Sequence, residues 1–450
     1  MKFNSHQSLF DAIASMAHRT IGSVTAGIVL GALISASLTG RSASSKLSHV
    51  RGKRSLVLAN EFSAPLLDHS ARLAELKKAQ PDIAAVLPLR FDAQLKTPCF
   101  ANGTAMRCLP AFFLSGAMQC GTSDMWRRLT VHEQIASEHD ALSHWWTLHP
   151  RSMARGRLRD FNQYLDLYSA PRTLAMLERA PGTLLGEASP ATFTYMMAEQ
   201  LRLHHLYLDA FSACWGKCRS STCKAGCYDV ANAATVTLEF NLPSLIATTY
   251  SATRLPKLIA LLRDPSVRLW IAFWSYGQYP AKYGQSVEGF GYYFGNQSAA
   301  FHACTQAYGR RRCALRFEAY GAAEANVYYH CDQLIKGMYA AFLPEWVAAL
   351  GAPNLLVMRT EAYLSRPIQT LKRALRHLGL RAPTEAEARR MQALESSDEL
   401  RRVEREHGMP PATSLKLLRR FYLPFNRALA SMLDDDGFLW QGQRDSSRES

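Results

Sequence analysis

Three short apolar runs punctuate the chain: residues 111–114 (AFFL), 257–262 (KLIALL) and 354–358 (NLLVM). Runs this short, apolar at nearly every position, fit strands buried on both faces, as in a parallel sheet with helices on either side. Residues 183–186 form a weaker, strand-like stretch. Segments of helical period separate the runs, which predicts an α/β fold of the doubly wound type, a central parallel sheet flanked by helices. Beyond Pro367 the pattern is mostly helical, and residues 415–433 carry a clear amphipathic repeat. Residues 214–227, rich in Gly and Cys, read as an insertion between helical stretches. No internal repeat is evident.

Residues 20–40 are 21 uncharged positions rich in Ile, Val, Leu, Ala and Gly, long enough to span a bilayer. The expected organisation is a tail over 1–19, a transmembrane signal anchor over 20–40 and a basic stem over 41–96. A folded domain over 97–442 and a polar tail over 443–450 complete it. Two other readings of the span stay open: a buried helix, or a leader cleaved near Ser35-Ala36-Ser37. Arg41, Lys46, Arg51, Lys53 and Arg54 follow the span while only Lys2 and Arg19 precede it, which by charge alone favours a cytoplasmic domain. The sequons Asn102-Gly103-Thr104 and Asn296-Gln297-Ser298 and the ten cysteines favour a lumenal one, and that is the expectation adopted. Cys99 with Cys108 and Cys304 with Cys313 make short-loop pairs. Cys214, Cys218, Cys223 and Cys227 have no common zinc spacing and no supporting histidine, so two local disulfides are expected there, with connectivity open.

A net charge of +15 over 450 residues points to an acidic partner: nucleic acid, anionic lipid or a polyanionic glycan. No zinc finger, RNA-recognition signature or basic helix with heptads supports nucleic acid.

The chemistry concentrates after the first apolar run. Residues 111–129, AFFLSGAMQCGTSDMWRRL, read as strand, small-residue turn and helix N-terminus, an arrangement that aims backbone N–H groups at an anion. It is not a Walker motif, because no Gly-Lys-Ser/Thr closes it. It resembles the 5′-phosphosulfate loop of carbohydrate sulfotransferases, roughly Gly-x-x-Lys-x-Gly-Thr-Thr/Ser, with Gly116, Gly121, Thr122 and Ser123 in place. The resemblance continues through His144-Trp145-Trp146, Gly186-Glu187-Ala188-Ser189-Pro190 and the signature Arg263-Asp264-Pro265 with Arg268. QLIKGMYAAFLPEW (333–346) and residues 413–440 are similar to the closing helices of the branch containing N-acetylgalactosamine 4-sulfate 6-O-sulfotransferase.

This resemblance implies a P-loop-like sulfotransferase fold and a donor, 3′-phosphoadenosine 5′-phosphosulfate. Gly116, Gln119, Cys120, Gly121, Thr122 and Ser123 would hold its phosphosulfate end and Arg263 its 3′-phosphate. The acceptor would be a hydroxyl of a glycan or proteoglycan, the location the Golgi lumen, and no metal would be required. Such transfer needs a base for the acceptor proton and positive charge at the leaving phosphate.

Three positions depart from the pattern. Gln119 replaces the loop lysine, Leu142 falls where the family has its base glutamate, and Ile271 replaces a serine that contacts the 3′-phosphate. His144 and Glu187 are the candidate catalytic groups in their place, with His144 suited by its ordinary pKa. Glu138 and Asp140 could supply a carboxylate; Lys336 or Arg127 could supply charge. Trp145 and Trp146 read equally as sugar-stacking surfaces or as core. The competing expectation is a relative that keeps the fold without transfer, binding nucleotide or glycan or partnering an active enzyme. A nucleotide kinase is disfavoured by the missing Walker lysine, and a homo-oligomer is left open.

Overall fold

The computed structural model describes residues 67–136, 141–147, 160–196, 202–250 and 252–441. The expected membrane span and the candidates Glu138 and Asp140 lie outside the described residues. Among the described residues no helix is long and apolar enough to cross a membrane.

The centre is a four-stranded sheet of β3 (Phe112–Gly116), β4 (Gly186–Glu187), β5 (Lys257–Leu262) and β6 (Leu355–Arg359), in the order β4-β3-β5-β6. Every pairing is parallel. A separate hairpin of β1 (Cys99–Asn102) and β2 (Ala105–Cys108) is antiparallel. Side chains alternate across a strand, so each run feeds two cores. Phe113, Leu258, Ala260 and Leu262 enter the larger core with Trp145, Trp146, Trp270 and Phe342. Phe112, Leu114, Ile259, Leu261, Leu356 and Met358 enter the smaller one with Met125 and Leu129, Leu371 and Leu375. Two buried faces explain why the sequence shows runs rather than alternation.

The strand expected over 111–114 runs to Gly116, and that over 354–358 is displaced by one residue to Leu355–Arg359. The stretch over 183–186 pairs only at Gly186 and Glu187. Ladder ends are set by neighbouring strands, which local pattern does not contain. The packed region also starts upstream of the boundary expected at Thr97. The helix His69–Ala79 is capped by Asp68, and Leu76, Ala79, Ile83 and Leu89 are buried in the larger core.

Disulfides join Cys99–Cys108, Cys214–Cys227, Cys218–Cys223 and Cys304–Cys313, leaving Cys120 and Cys331 as buried thiols. The cysteine-rich stretch is not an insertion between helices: it forms the inner ends of two, His205–Lys217 and Ser221–Ala234. Nested disulfides clip that helical hairpin shut. Tyr207, Phe211 and Tyr228 fill it as a small core of its own.

Lys257, at the start of β5, donates a hydrogen bond from Nζ to the His377 carbonyl oxygen. Burial, and then the nearby Lys257 charge, lower the His377 pKa to about 4, and its Nε2 is buried without a partner among the described residues. The folded state therefore disfavours the imidazolium. Between pH 6.5 and 4 the unfolded chain binds the extra proton, so this group's contribution is intact above 6.5 and declines as pH falls. Partial exposure limits the effect to about 2 kcal/mol. Urea denaturation at pH 7 and pH 4.5 should show His377→Gln losing that much less stability than the wild type. Equal losses would refute the assignment.

Candidate functional site

β3 ends at Gly116, where the chain passes so close to β5 that a Cβ would overlap the Leu261 carbonyl oxygen. Only glycine fits. The following turn carries Gln119 at φ 69° and Gly121 at φ 84°, left-handed conformations that reverse the chain into the helix Thr122–Leu129. Gly121 is the N-cap and no side chain caps this helix, so the first-turn N–H groups, which have no intrahelical acceptor, are not covered by a capping side chain. The loop is pinned through its carbonyls: Thr360 Oγ1 donates to Cys120 O at 2.7 Å, and Arg268 Nη1 donates to Met118 O at 3.2 Å. Thr122 and Cys120 are buried, and Ser123 is exposed. Burial raises the Cys120 thiol pKa, with Arg268 and Arg263 pulling the other way, so both guanidinium charges act on the loop.

Those arginines come from one local device. Asp264 caps the helix Pro265–Ser275, accepting from Ser266 N at 2.9 Å, and Pro265 sits at its first position. Arg263 thus directly precedes the capping Asp264, and Arg268 is the fourth residue of the helix. Both converge on the loop. The Arg263 guanidinium reaches within 3.7 Å of where a Cβ on Gly121 would stand. Arg263 is nevertheless only 1% exposed, because its Nη2 makes an ion pair with Asp398 Oδ1 at 2.5 Å. Arg268 is fully buried and also donates to the Gln333 side chain and carbonyl. Ile271 packs in the larger core, so the helix offers no hydroxyl at that position.

Gln119 hydrogen-bonds the Tyr276 hydroxyl. Burial holds that phenol above its usual pKa, while the Lys336 charge pulls it down. Lys336 is therefore brought to the loop side of the sheet through Tyr276, ion-paired with Asp332 at 2.9 Å. Arg127 points elsewhere: it is exposed and lies 3.4 Å from the Glu395 carbonyl.

Glu187 ends β4 and is wholly buried. It accepts from four hydroxyls: Ser189 at 2.7 Å and Ser143 at 3.3 Å on Oε1, Tyr164 at 2.6 Å and Tyr168 at 3.2 Å on Oε2. Tyr164 and Tyr168 stand four apart on the helix Phe161–Tyr168, so both hydroxyls leave one face. Burial raises the carboxyl pKa and the four donors oppose it. His144, half-buried at φ 52°, donates its backbone N–H to Ser189 Oγ at 3.0 Å. Ser115 of β3 donates to the Ser189 and Pro190 carbonyls, both at 3.2 Å. Ser189 therefore joins His144, Glu187 and the end of β3, the strand from whose carboxyl end the loop departs.

Trp145 and Trp146 are fully buried, with Trp146 Nε1 donating to Tyr164 Oη at 2.7 Å. They are core and offer no face to a sugar. Leu142 is 48% exposed beside this network. Sequence reasoning missed Arg268 as a loop anchor and missed Asp398 altogether. The signal for Asp398 was an N-cap pattern, Ser-Ser-Asp before a charged helix, which says nothing about a partner 135 residues away.

No family model matches the chain. Over 351 residues it is 26% identical to carbohydrate sulfotransferase 15 of Mus musculus, and over 343 residues 27% identical to the Homo sapiens protein of that name. These alignments cover 75% of this chain, which spans about half (55%) of the length of those relatives. Among solved structures, a sulfotransferase from Alicyclobacillus acidocaldarius is similar at 18% identity with a TM-score of 0.38, covering 73% of this chain and 97% of that one. The sulfotransferase domain from the curacin biosynthetic pathway is similar at 13% identity and a TM-score of 0.31, over 73% and 98%.

Proposed function

We propose, from the carbohydrate sulfotransferase family assignment that these relatives support, that the chain transfers a sulfuryl group from 3′-phosphoadenosine 5′-phosphosulfate to a glycan hydroxyl. One observation carries the reading: the uncapped glycine loop at the carboxyl end of β3, flanked by Arg263 and Arg268. Ligands of parallel α/β sheets bind at the carboxyl ends of the strands, and helix N-termini there favour anions. In this reading residues 116–123 hold the phosphosulfate end and Arg263 the 3′-phosphate. The reaction logic parallels phosphoryl transfer, in which positioning and electrostatics do most of the work. His144 is the acceptor's base. Glu187, saturated by hydroxyls, positions Ser189 and through it the His144 backbone. The four disulfides support a lumenal, oxidising location, which we assign to the Golgi with the span at 20–40 as anchor.

The second reading, a non-transferring relative, is favoured by the neutral Gln119. An amide can donate to the bridging oxygen but cannot neutralise it. Transfer of labelled sulfate from the donor, measured on the purified protein against a panel of glycans, decides between them. Gln119→Lys is expected to raise the transfer rate about tenfold, a fraction of what one charge-assisted contact can contribute. Donor binding without transfer in either form would select the second reading.

A further inference from the structure

We propose that Asp398 is a resident occupant of the Arg263 anion site, and that the donor's 3′-phosphate binds only after residues 394–398 release that guanidinium. The inference rests on the donor reading above. It begins with access: at 1% exposure, Arg263 cannot meet a dianion in the conformation described.

The contact that closes the site is incomplete. Arg263 Nη2 meets Asp398 Oδ1 at 2.5 Å, but Arg263 Nε and Asp398 Oδ2 are both buried without a hydrogen-bond partner among the described residues. Ser266 Oγ, in the first turn of the following helix, is likewise buried and unpartnered. A guanidinium fork matches a carboxylate or phosphate bidentately, and a one-point contact forfeits half of that match. Orphaned buried donors are costly. A phosphate offers three acceptor oxygens where the carboxylate here meets one guanidinium nitrogen, through the same Oδ1 that caps the Glu399–His407 helix, so the exchange relieves what the closed state leaves unsatisfied.

The closing segment is also tied to the loop's own helix. Ser397 donates from N and Oγ to Asp124 Oδ1, at 2.8 and 3.4 Å. Arg128 donates to the Met391 and Leu394 carbonyls. Asp124 and Arg128 sit on Thr122–Leu129, which begins at Gly121. The segment that covers Arg263 and the glycine loop thus both abut one short helix. A buried carboxylate beside an arriving dianion adds repulsion that drives the segment out.

The opposite role gives the opposite sign. If Asp398 merely held Arg263 ready for phosphate, removing its charge would weaken binding. Asp398→Asn retains a side-chain oxygen to cap Glu399–His407, and Asp398→Ser serves as a second capping variant if Asn folds poorly. Calorimetry with adenosine 3′,5′-bisphosphate and with adenosine 5′-monophosphate is the test. The uncharged variant should bind the bisphosphate at least tenfold more tightly than wild type, as expected when the competent state is populated one part in ten or less. Its affinity for the monophosphate should change less than twofold. Equal or weaker bisphosphate binding by both variants overturns the gate alone. If wild type and variants all fail to take up bisphosphate, the donor reading falls and the gate with it.

Discussion

Arg263→Ala is expected to lower affinity for adenosine 3′,5′-bisphosphate at least a hundredfold and to abolish transfer. Arg263 leaves β5 at the loop, its guanidinium beside Gly121, and it is the group assigned to the 3′-phosphate. Charge-assisted bonds to a phosphate contribute more than neutral ones, and losing a bidentate set of about 3 kcal/mol corresponds to roughly a hundredfold in affinity. The substitution also strands Asp398 as an unpaired buried carboxylate, which destabilises by about 3–5 kcal/mol. The double variant Arg263→Ala with Asp398→Asn separates the two effects. It should recover much of the melting temperature and none of the transfer. Recovery of transfer in the double variant would mean that Arg263 only balances Asp398, and the site assignment would be wrong.

Glu187→Ala should cost about 4 kcal/mol of stability, enough to leave much of a marginal domain unfolded. Four hydroxyls, from Ser143, Tyr164, Tyr168 and Ser189, lose their common acceptor in a fully buried setting. Networks of this kind are worth more than any one bond suggests. Glu187→Gln keeps the shape and one accepting oxygen, so it should lose about half as much in urea denaturation of the disulfide-intact protein. The same Gln variant tests the chemical role. As a positioning group, Glu187 should affect kcat modestly and leave the pH profile of transfer in place. A Gln variant that folds like wild type, yet loses transfer a hundredfold with a displaced acidic limb, would instead make Glu187 the base.

The loop shows how local information reaches a site and where it stops. Gly116 and Gly121 are legible as glycines after an apolar run, because a tight turn into a helix needs residues without a Cβ there. The Arg-Asp-Pro start is legible as well: an N-cap aspartate, a proline in the first turn and an arginine on each side. Neither pattern says that both arginines reach the same loop. That depends on β5 pairing beside β3, with Gly116 against Leu261. The disulfides divide in the same way. Cys99–Cys108 and Cys304–Cys313 close short loops and were legible from spacing. The nested pairing of Cys214 with Cys227 and Cys218 with Cys223 required two helices to lie antiparallel.

Trp145 and Trp146 mark the limit most plainly. An aromatic pair beside a histidine is compatible with sugar stacking or with core, and only Tyr164, Phe113 and the surrounding core settle it as core. Lys336 is similar: a lysine in the closing helices could lie anywhere until Tyr276 links it to Gln119.

By itself, then, the order of residues determined the α/β class, the buried strands, the glycine turn and the capped helix that launches Arg263 and Arg268. These follow from backbone sterics and from periodic burial, which act within a few residues. Tertiary structure alone decided that four hydroxyls surround Glu187, that the tryptophans are core and that Asp398 covers Arg263. Contacts such as Tyr164–Glu187 and Arg263–Asp398 join residues 23 and 135 apart, and their partners are chosen by packing and by the cost of leaving a buried charge unpaired.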